Sequence, residues 1–516
     1  MEGLRSAWPS RLVQRFLELA KCERPALIDE HETLTFATLH ERAARLAQAL
    51  HARGLARRRI ALLAPSDASW VEAFWAICLA GGTVVPISPL YPAPEQTSLL
   101  QRSRAAALLL SETGPAGPER ATLPSLRFAR GALLDANAVP AFEPDVTPAS
   151  DHDAESTPAL LLFTSGTTGA PKGVPLSHGN VLAGAEILGS AWGLGPADRL
   201  LHTLPLHHVH GICVALLSTL LAGGSVRLLP RYDASRVLEG LAQASVLMGV
   251  PTQHKLLVEH IERLPPDDAA RARRDLAALR LITSGSAKLP ESLGRRLEQL
   301  SGRYPLERYG MSEVGIVLGN PLAGPRQPGS CGRALPRCDV RVVDEHGGEL
   351  APGSPGELWI RGPTVFAGYD ADPRASAEAF ANGFFKSGDT AVQDADGFVR
   401  LLGRTSIDII KSGGYKLSAL EIEEHLLQHP GVREAAVVGI ADETWGERVV
   451  AAIVPSKGAQ DASLGEAVRQ WLRERVAGYK VPKQIVLVAE LPRNSMGKVL
   501  KPELARALSS AASSSA

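Results

Sequence analysis

The stretch TSGTTGAPKG, residues 164–173, gathers side chains that can hold anionic oxygens. Thr164, Ser165, Thr167 and Thr168 offer hydroxyls, and Lys172 offers a positive charge. Gly166, Gly169 and Gly173 let the backbone come close to a ligand and aim its amides at it. The stretch directly follows the apolar run ALLLF. It does not fit the nucleotide loop G-x-x-x-x-G-K-[ST], because Lys172 is followed by Gly173. A nucleotide held here is held in some other fold. Taken alone, the stretch also fits a plain flexible surface loop. A second group, His207, His208 and His210 with Cys213, invites a metal or acid–base reading, but lacks the usual zinc spacing.

The elements that would carry these residues belong to a large chain. Its 516 residues require two or more domains. Hydrophobic residues make up 45% and charged residues 21%, the profile of a globular protein in water. Lys+Arg and Asp+Glu are both 55, which argues against nucleic acid or an anionic membrane surface as partner. The five cysteines are scattered with no close pair, which suits a reducing, cytoplasmic setting. No apolar run is long enough to span a bilayer. Near the N-terminus, Leu12, Phe16 and Leu19 share one face of an expected helix.

RIALLAP (59–65), the helical ASWVEAFWAICLAG and the strand TVVPI (83–87) form a β-α-β alternation. Buried-strand runs recur at 158–166, 225–230, 246–251 and 279–287. This predicts a mostly parallel sheet covered by helices. From about residue 325 to 400 turn signals multiply between short strands, as in a barrel-like subdomain. Beyond 401 a helix, two strands, a helix and a further strand read as a small α+β domain, and the tail SSAASSSA reads as disordered.

Six motifs in order resemble those of the adenylate-forming superfamily, which includes acyl-CoA synthetases. They are FTSGTTGAPKGV, LPLHHVHG (204–211), ERYGMSE (307–313), FKSGD (385–389), GRTSIDIIKSGGYK (403–416) and PRNSMGKVLK (492–501). The resemblance is strongest to malonyl-CoA synthetases. It implies an α/β fold with a large N-terminal domain of layered sheets and helices (1–403), the barrel-like part within it. A small, mobile α+β lid would follow at 404–508, with a disordered tail at 509–516.

The implied reaction joins a carboxylate to ATP, releasing pyrophosphate, and then passes the acyl group to coenzyme A. Two anions meet in the first step, so cations and amide dipoles must offset their repulsion. The resemblance gives Lys498 the bridging role between carboxylate and α-phosphate. It gives the β- and γ-phosphates to the 164–173 loop and Mg2+ to Glu313 and Thr168. Tyr309, Gly310, Ser312 and Ser286 would surround the nucleotide, and Asp389 with Arg404 would hold its ribose. His208 would gate the acyl pocket. Gly413, Gly414 and Tyr415 would line the thiol tunnel once the lid swings about Ser406, Ile407 or Asp408.

The acid is left open between two classes. His207, Met248, His254, Gly285, Met311 and Ile316 are the expected pocket walls. A small dicarboxylate such as malonate needs a buried cation. The position aligned with a basic residue in the resembling subfamily is Leu256 here, with Lys255 one place before it. One helical step turns a side chain by about 100°, so an apolar pocket for a short- or medium-chain acid is the alternative. Transfer to a carrier protein's phosphopantetheine arm, and a non-catalytic nucleotide-binding role, are the other readings. Nothing in the sequence sets an oligomeric state.

Overall fold

A computed structural model describes residues 8–114, 117, 123–134, 154–164, 171–412, 415–442, 444–456, 463–493 and 499–513. Two compact units divide the chain. The first takes Met1–Asp339 and Ile360–Phe385, the second Val340–Trp359 and Lys386–Ala516.

The first unit is built on two sheets. In spatial order, one runs Ala132–Leu133, Ser125–Ala129, Ala107–Ser111, Arg59–Leu63, Thr83–Pro86, Pro158–Thr164 and Lys172–Ser177. Its central strands are parallel, as the β-α-β alternation requires. The last pair is antiparallel, with Thr164 opposite Lys172. The glycine-rich loop therefore joins two strands rather than a strand and a helix, which explains why it departs from the P-loop pattern. The strand Lys172–Ser177 then feeds the helix His178–Ala191 through a capping box of Ser177 and Asn180.

The other sheet runs Arg333–Ala334, Gly315–Gly319, Leu306–Met311, Leu281–Ser284, Val246–Gly249, Arg199–His202, Ser225–Leu228, Pro25–Ile28 and Thr33–Thr35. Its six inner strands, from Leu306–Met311 to Pro25–Ile28, are parallel. Helix Arg11–Leu19 buries Leu12, Phe16 and Leu19, the face its sequence predicts, and Phe16 stacks on Trp75 at 4.0 Å. Helix Ala68–Leu79 is buried on all sides except at Ser69, and its one charged residue, Glu72, pairs with Arg42 at 2.9 Å.

The second unit holds an antiparallel hairpin, Val432–Asp442 with Gly446–Pro455, whose alternate residues feed two cores. Val437, Val449 and Ile453 face the cluster of Ile422, Leu426, Val468 and Leu472; Ala436, Val438 and Val450 face Leu504 and Leu508. The terminal helix Lys501–Ser513 runs past residue 508 into the segment where the sequence suggests disorder. The two buried leucines anchor it, and the alanines that follow are strong helix formers. Among the described residues no helix is long and apolar enough to cross a membrane.

Candidate active site

The strand ends of the second sheet bring several expected residues together. Met248 and Gly249 pair in register with Thr283 and Ser284. His254, on the next helix, shares a 3.0 Å hydrogen bond with the Thr283 carbonyl through Nε2. Ser286 holds a left-handed backbone (φ 67°), a strain of the sort that collects at functional sites. Its Oγ lies 3.1 Å from His210 Nδ1. The segment His210–Leu217 is π-helical, a winding frequent at such sites. His207 and His208 precede it, their rings 4.2 Å apart, with Tyr91 edge-on to His207.

These histidines are neutral at neutral pH. Burial lowers His208, His202 and His254 to about 4, and His207 and His210 well below the ordinary value. Neutral rings suit a gate or wall rather than a cationic anchor. Ile316 lines a small cavity with Leu176, Val181, Leu188, Cys213 and Thr364.

The cation of this region is one the sequence reading passed over. Arg308, inside ERYGMSE, is 4% exposed. Its Nε and Nη2 have no hydrogen-bond partner among the described residues. It is pressed against Gly285, where a Cβ would run into the guanidinium. Burial brings its pKa down to about 9. Its neighbour Glu307 is spent elsewhere, accepting from the Gly329 amide at 2.8 Å. Other unpaired buried polar atoms belong to the same strand ends and histidine motif: His208 Nε2, His210 Nε2, Thr283 Oγ1 and Ser284 Oγ. Buried polar atoms normally find partners, so a concentration of orphans marks a place for a polar ligand. The sequence signal was an arginine beside Glu307 within the ERYGMSE motif itself.

The basic residue weighed from sequence lies elsewhere. Lys255 has a 42% exposed side chain and sits 3.9 Å from Glu259, and Leu256 is 46% exposed. Arg326 donates to the carbonyls of Tyr304, Pro321 and Leu322.

At the phosphate-loop end, Thr164 and Lys172 are placed; Ser165, Gly166, Thr167, Thr168 and Gly169 lie outside the described residues. Tyr309 is buried in its strand, and Gly310 sits where a Cβ would strike the Gly315 carbonyl, which glycine alone tolerates. Met311 and Ser312 follow, half-buried. Glu313 is buried, and its Oε1 accepts from the Tyr369 hydroxyl at 3.2 Å. Among the described residues no three His, Cys, Asp or Glu side chains form a metal cluster. A single carboxylate suits Mg2+, which is usually shared with substrate phosphates.

In the second unit Asp389 and Arg404 face each other across an antiparallel ladder, with Arg404 Nε 3.1 Å from Asp389 Oδ1. Arg404 also donates to the Ser387 carbonyl at 2.6 Å. The turn that follows is closed by Asp408, whose Oδ2 accepts from the Arg404 amide at 3.0 Å. Ser406 is exposed and Ile407 half-buried in that turn. Tyr415 is exposed and stacks on Tyr479 at 4.3 Å. Gly413, Gly414 and Lys498 lie outside the described residues.

A family profile for AMP-binding enzymes matches residues 16–370, and one for the AMP-binding enzyme C-terminal domain matches 421–498. The chain belongs to the AMP-binding enzyme family. Within it, the chain is 37% identical to the mitochondrial malonate–CoA ligase of Homo sapiens over 95% of its own length and 90% of that protein's. The malonate–CoA ligase of Arabidopsis thaliana is 34% identical, covering 87% and 78%. Its fold matches the crystal structure of ATP-bound MatB from Rhodopseudomonas palustris with a TM-score of 0.84, 33% identity and coverage of 96% and 98%. The protein is an AMP-forming acyl-CoA synthetase that uses ATP and coenzyme A.

Proposed function

We propose that this acyl-CoA synthetase activates malonate, forming malonyl-adenylate and then malonyl-CoA. Arg308 carries the reading. A buried guanidinium with unpaired nitrogens is costly to keep. The distal carboxylate of a small dicarboxylate would relieve that cost, and a fatty acid would not. The malonate–CoA ligases among the relatives support the same acid.

The chemistry follows from charge. The reacting carboxylate and the ATP phosphates repel each other, so the attack needs cations on both. Lys498 would bridge the carboxylate and the α-phosphate, and Lys172 would face the departing pyrophosphate. Glu313 would hold Mg2+, which supplies charge neutralisation on the phosphate oxygens. Asp389 and Arg404 would hold the ribose, a carboxylate being able to accept from both hydroxyls. The neutral histidines would wall the acyl group without competing for its second charge. The lid at 404–508 would bring Lys498 for the first half-reaction. Cysteines without disulfides among the described residues suit a reducing compartment such as the cytoplasm.

The test is pyrophosphate release with malonate, methylmalonate, acetate, butyrate and octanoate, each with and without coenzyme A. Malonate is expected to give the highest kcat/KM, with malonyl-CoA as product. Preference for butyrate or octanoate would overturn the reading. Turnover that ignores coenzyme A but responds to a phosphopantetheinylated carrier protein would move the acceptor to that carrier.

A further inference from the structure

Tyr369 stands between two residues that the reaction uses for different purposes. Its hydroxyl donates to Glu313 Oε1 at 3.2 Å. The Lys172 ammonium lies 4.7 Å from its ring centroid, within the range of a cation–π contact. One rigid side chain thus touches both the phosphate-loop lysine and the buried carboxylate.

The backbone around Tyr369 is stitched to the same two places. The Phe366 amide donates to the Glu313 carbonyl and the Asp370 amide to the Gly173 carbonyl, both at 2.8 Å. Asp370 is gripped by Arg59 through two hydrogen bonds of 2.6 and 2.8 Å. Phe366 packs edge-on against the Tyr369 ring at 4.9 Å. The segment 364–370 is therefore a strut, fixed at one end to the base of the phosphate loop and at the other to the Glu313 turn. The ring of Tyr369 repeats in side chains what the backbone does in hydrogen bonds.

We propose that Tyr369 is a positioning residue that holds the Lys172 ammonium and the Glu313 carboxylate in one register, so that the phosphates and their magnesium ion are met together. Tyr369 touches neither reacting atom. Its hydroxyl holds Glu313 Oε1 and so orients the carboxylate that would take the metal. Its ring face holds Lys172 without neutralising it, as a carboxylate partner would. The proposal rests on the reading of Glu313 as the magnesium ligand.

The experiment uses the full chain with Tyr369→Phe, Tyr369→Leu and Glu313→Gln. Calorimetric titration measures ATP affinity with and without MgCl2 in the absence of any acid. Pyrophosphate release with malonate is followed over a magnesium series. Tyr369→Phe keeps the ring and is expected to raise half-saturating magnesium by ~10-fold, the scale of one hydrogen bond to a charged group, with magnesium-free ATP affinity unchanged. Tyr369→Leu is expected to lose the same factor and to weaken magnesium-free ATP binding by a further ~3-fold through Lys172. If Glu313→Gln shifts the magnesium requirement but both Tyr369 variants keep wild-type profiles, Tyr369 is structural only and the proposal falls. If Glu313→Gln leaves the requirement unchanged, the magnesium reading of Glu313 falls, and the proposal with it.

Discussion

Arg308 in the first unit and Lys501 in the second are both buried cations, at 4% and 9% exposure, yet their surroundings are opposite. Lys501 Nζ lies 2.5 Å from Asp408 Oδ1 and 2.7 Å from Glu423 Oε1. Arg308 leaves Nε and Nη2 with no partner among the described residues. Burial alone would lower both pKa values. For Lys501 the Glu423 and Asp408 charges more than offset it, and the pKa rises; for Arg308 burial wins, and the value falls to about 9. A cation whose partners are all inside the fold contributes to architecture. One whose partners are missing is a cost that water or a bound ligand must offset.

The sharpest way to separate the two is to remove each charge. Lys501→Met leaves Asp408 and Glu423 facing each other without their cation. Breaking a buried pair on one side costs about 3–5 kcal/mol, so thermal unfolding of the full chain should show a large loss for the second unit. Adding Asp408→Asn and Glu423→Gln should recover much of it. An unshifted transition in Lys501→Met would mean that this ammonium is not structural.

Arg308→Met should do the reverse. Removing an unpaired buried charge leaves stability unchanged or raised. Losing the partner of a substrate carboxylate should cut kcat/KM for malonate by ~100-fold, about 3 kcal/mol. Butyrate turnover should hold or rise. Equal losses with malonate and butyrate would make Arg308 a structural residue like Lys501.

This contrast shows what was legible in the chain. The parallel sheets followed from runs such as RIALL and VLMG, whose apolar continuity has few alternatives in a folded chain. The phosphate loop, Glu313 and the Asp389–Arg404 pair could be singled out because their motifs hold fixed residue types at fixed spacing. Arg308 was not found because an arginine is ordinarily a surface residue. Its burial depends on the parallel pairing of Leu306–Met311 with Leu281–Ser284, and on Gly285 leaving room for the guanidinium. Both are long-range facts. Tyr369 was missed for a similar reason: GYD reads as a turn, and its contacts to Lys172 and Glu313 span 197 and 56 residues. Lys501 sat inside a quoted motif, but its carboxylates lie far away in sequence.

A smaller effect should appear with pH. In the free enzyme Arg308 loses its proton as pH rises through about 9, so the fraction able to receive a second carboxylate falls above that value. The apparent KM for malonate in pyrophosphate exchange, which needs no coenzyme A thiol, should rise ~5-fold from pH 9 to 10. Butyrate, lacking the second charge, supplies the control for every other titrating group. His208 and His254 titrate at about 4 and His210 well below the ordinary histidine range, so they should add no inflection between pH 6 and 8. A malonate profile that parallels butyrate would remove Arg308 from recognition.

The smallest expected effect concerns Lys255, the cation that a helix-position argument would favour. It sits one residue before the place that would otherwise be basic, and a single step is enough to turn it out of a pocket. Its side chain is 42% exposed and its nearest carboxylate, on Glu259, is 3.9 Å away in an i,i+4 pair. Such surface pairs are worth about 0.3–0.5 kcal/mol. Lys255→Ala should therefore change malonate kcat/KM by less than ~2-fold, and Leu256→Arg should not raise it, because Leu256 is itself 46% exposed. If instead Lys255→Ala matched the loss in Arg308→Met, the helix would have to rotate on substrate binding, and the unpaired guanidinium would no longer explain the choice of acid.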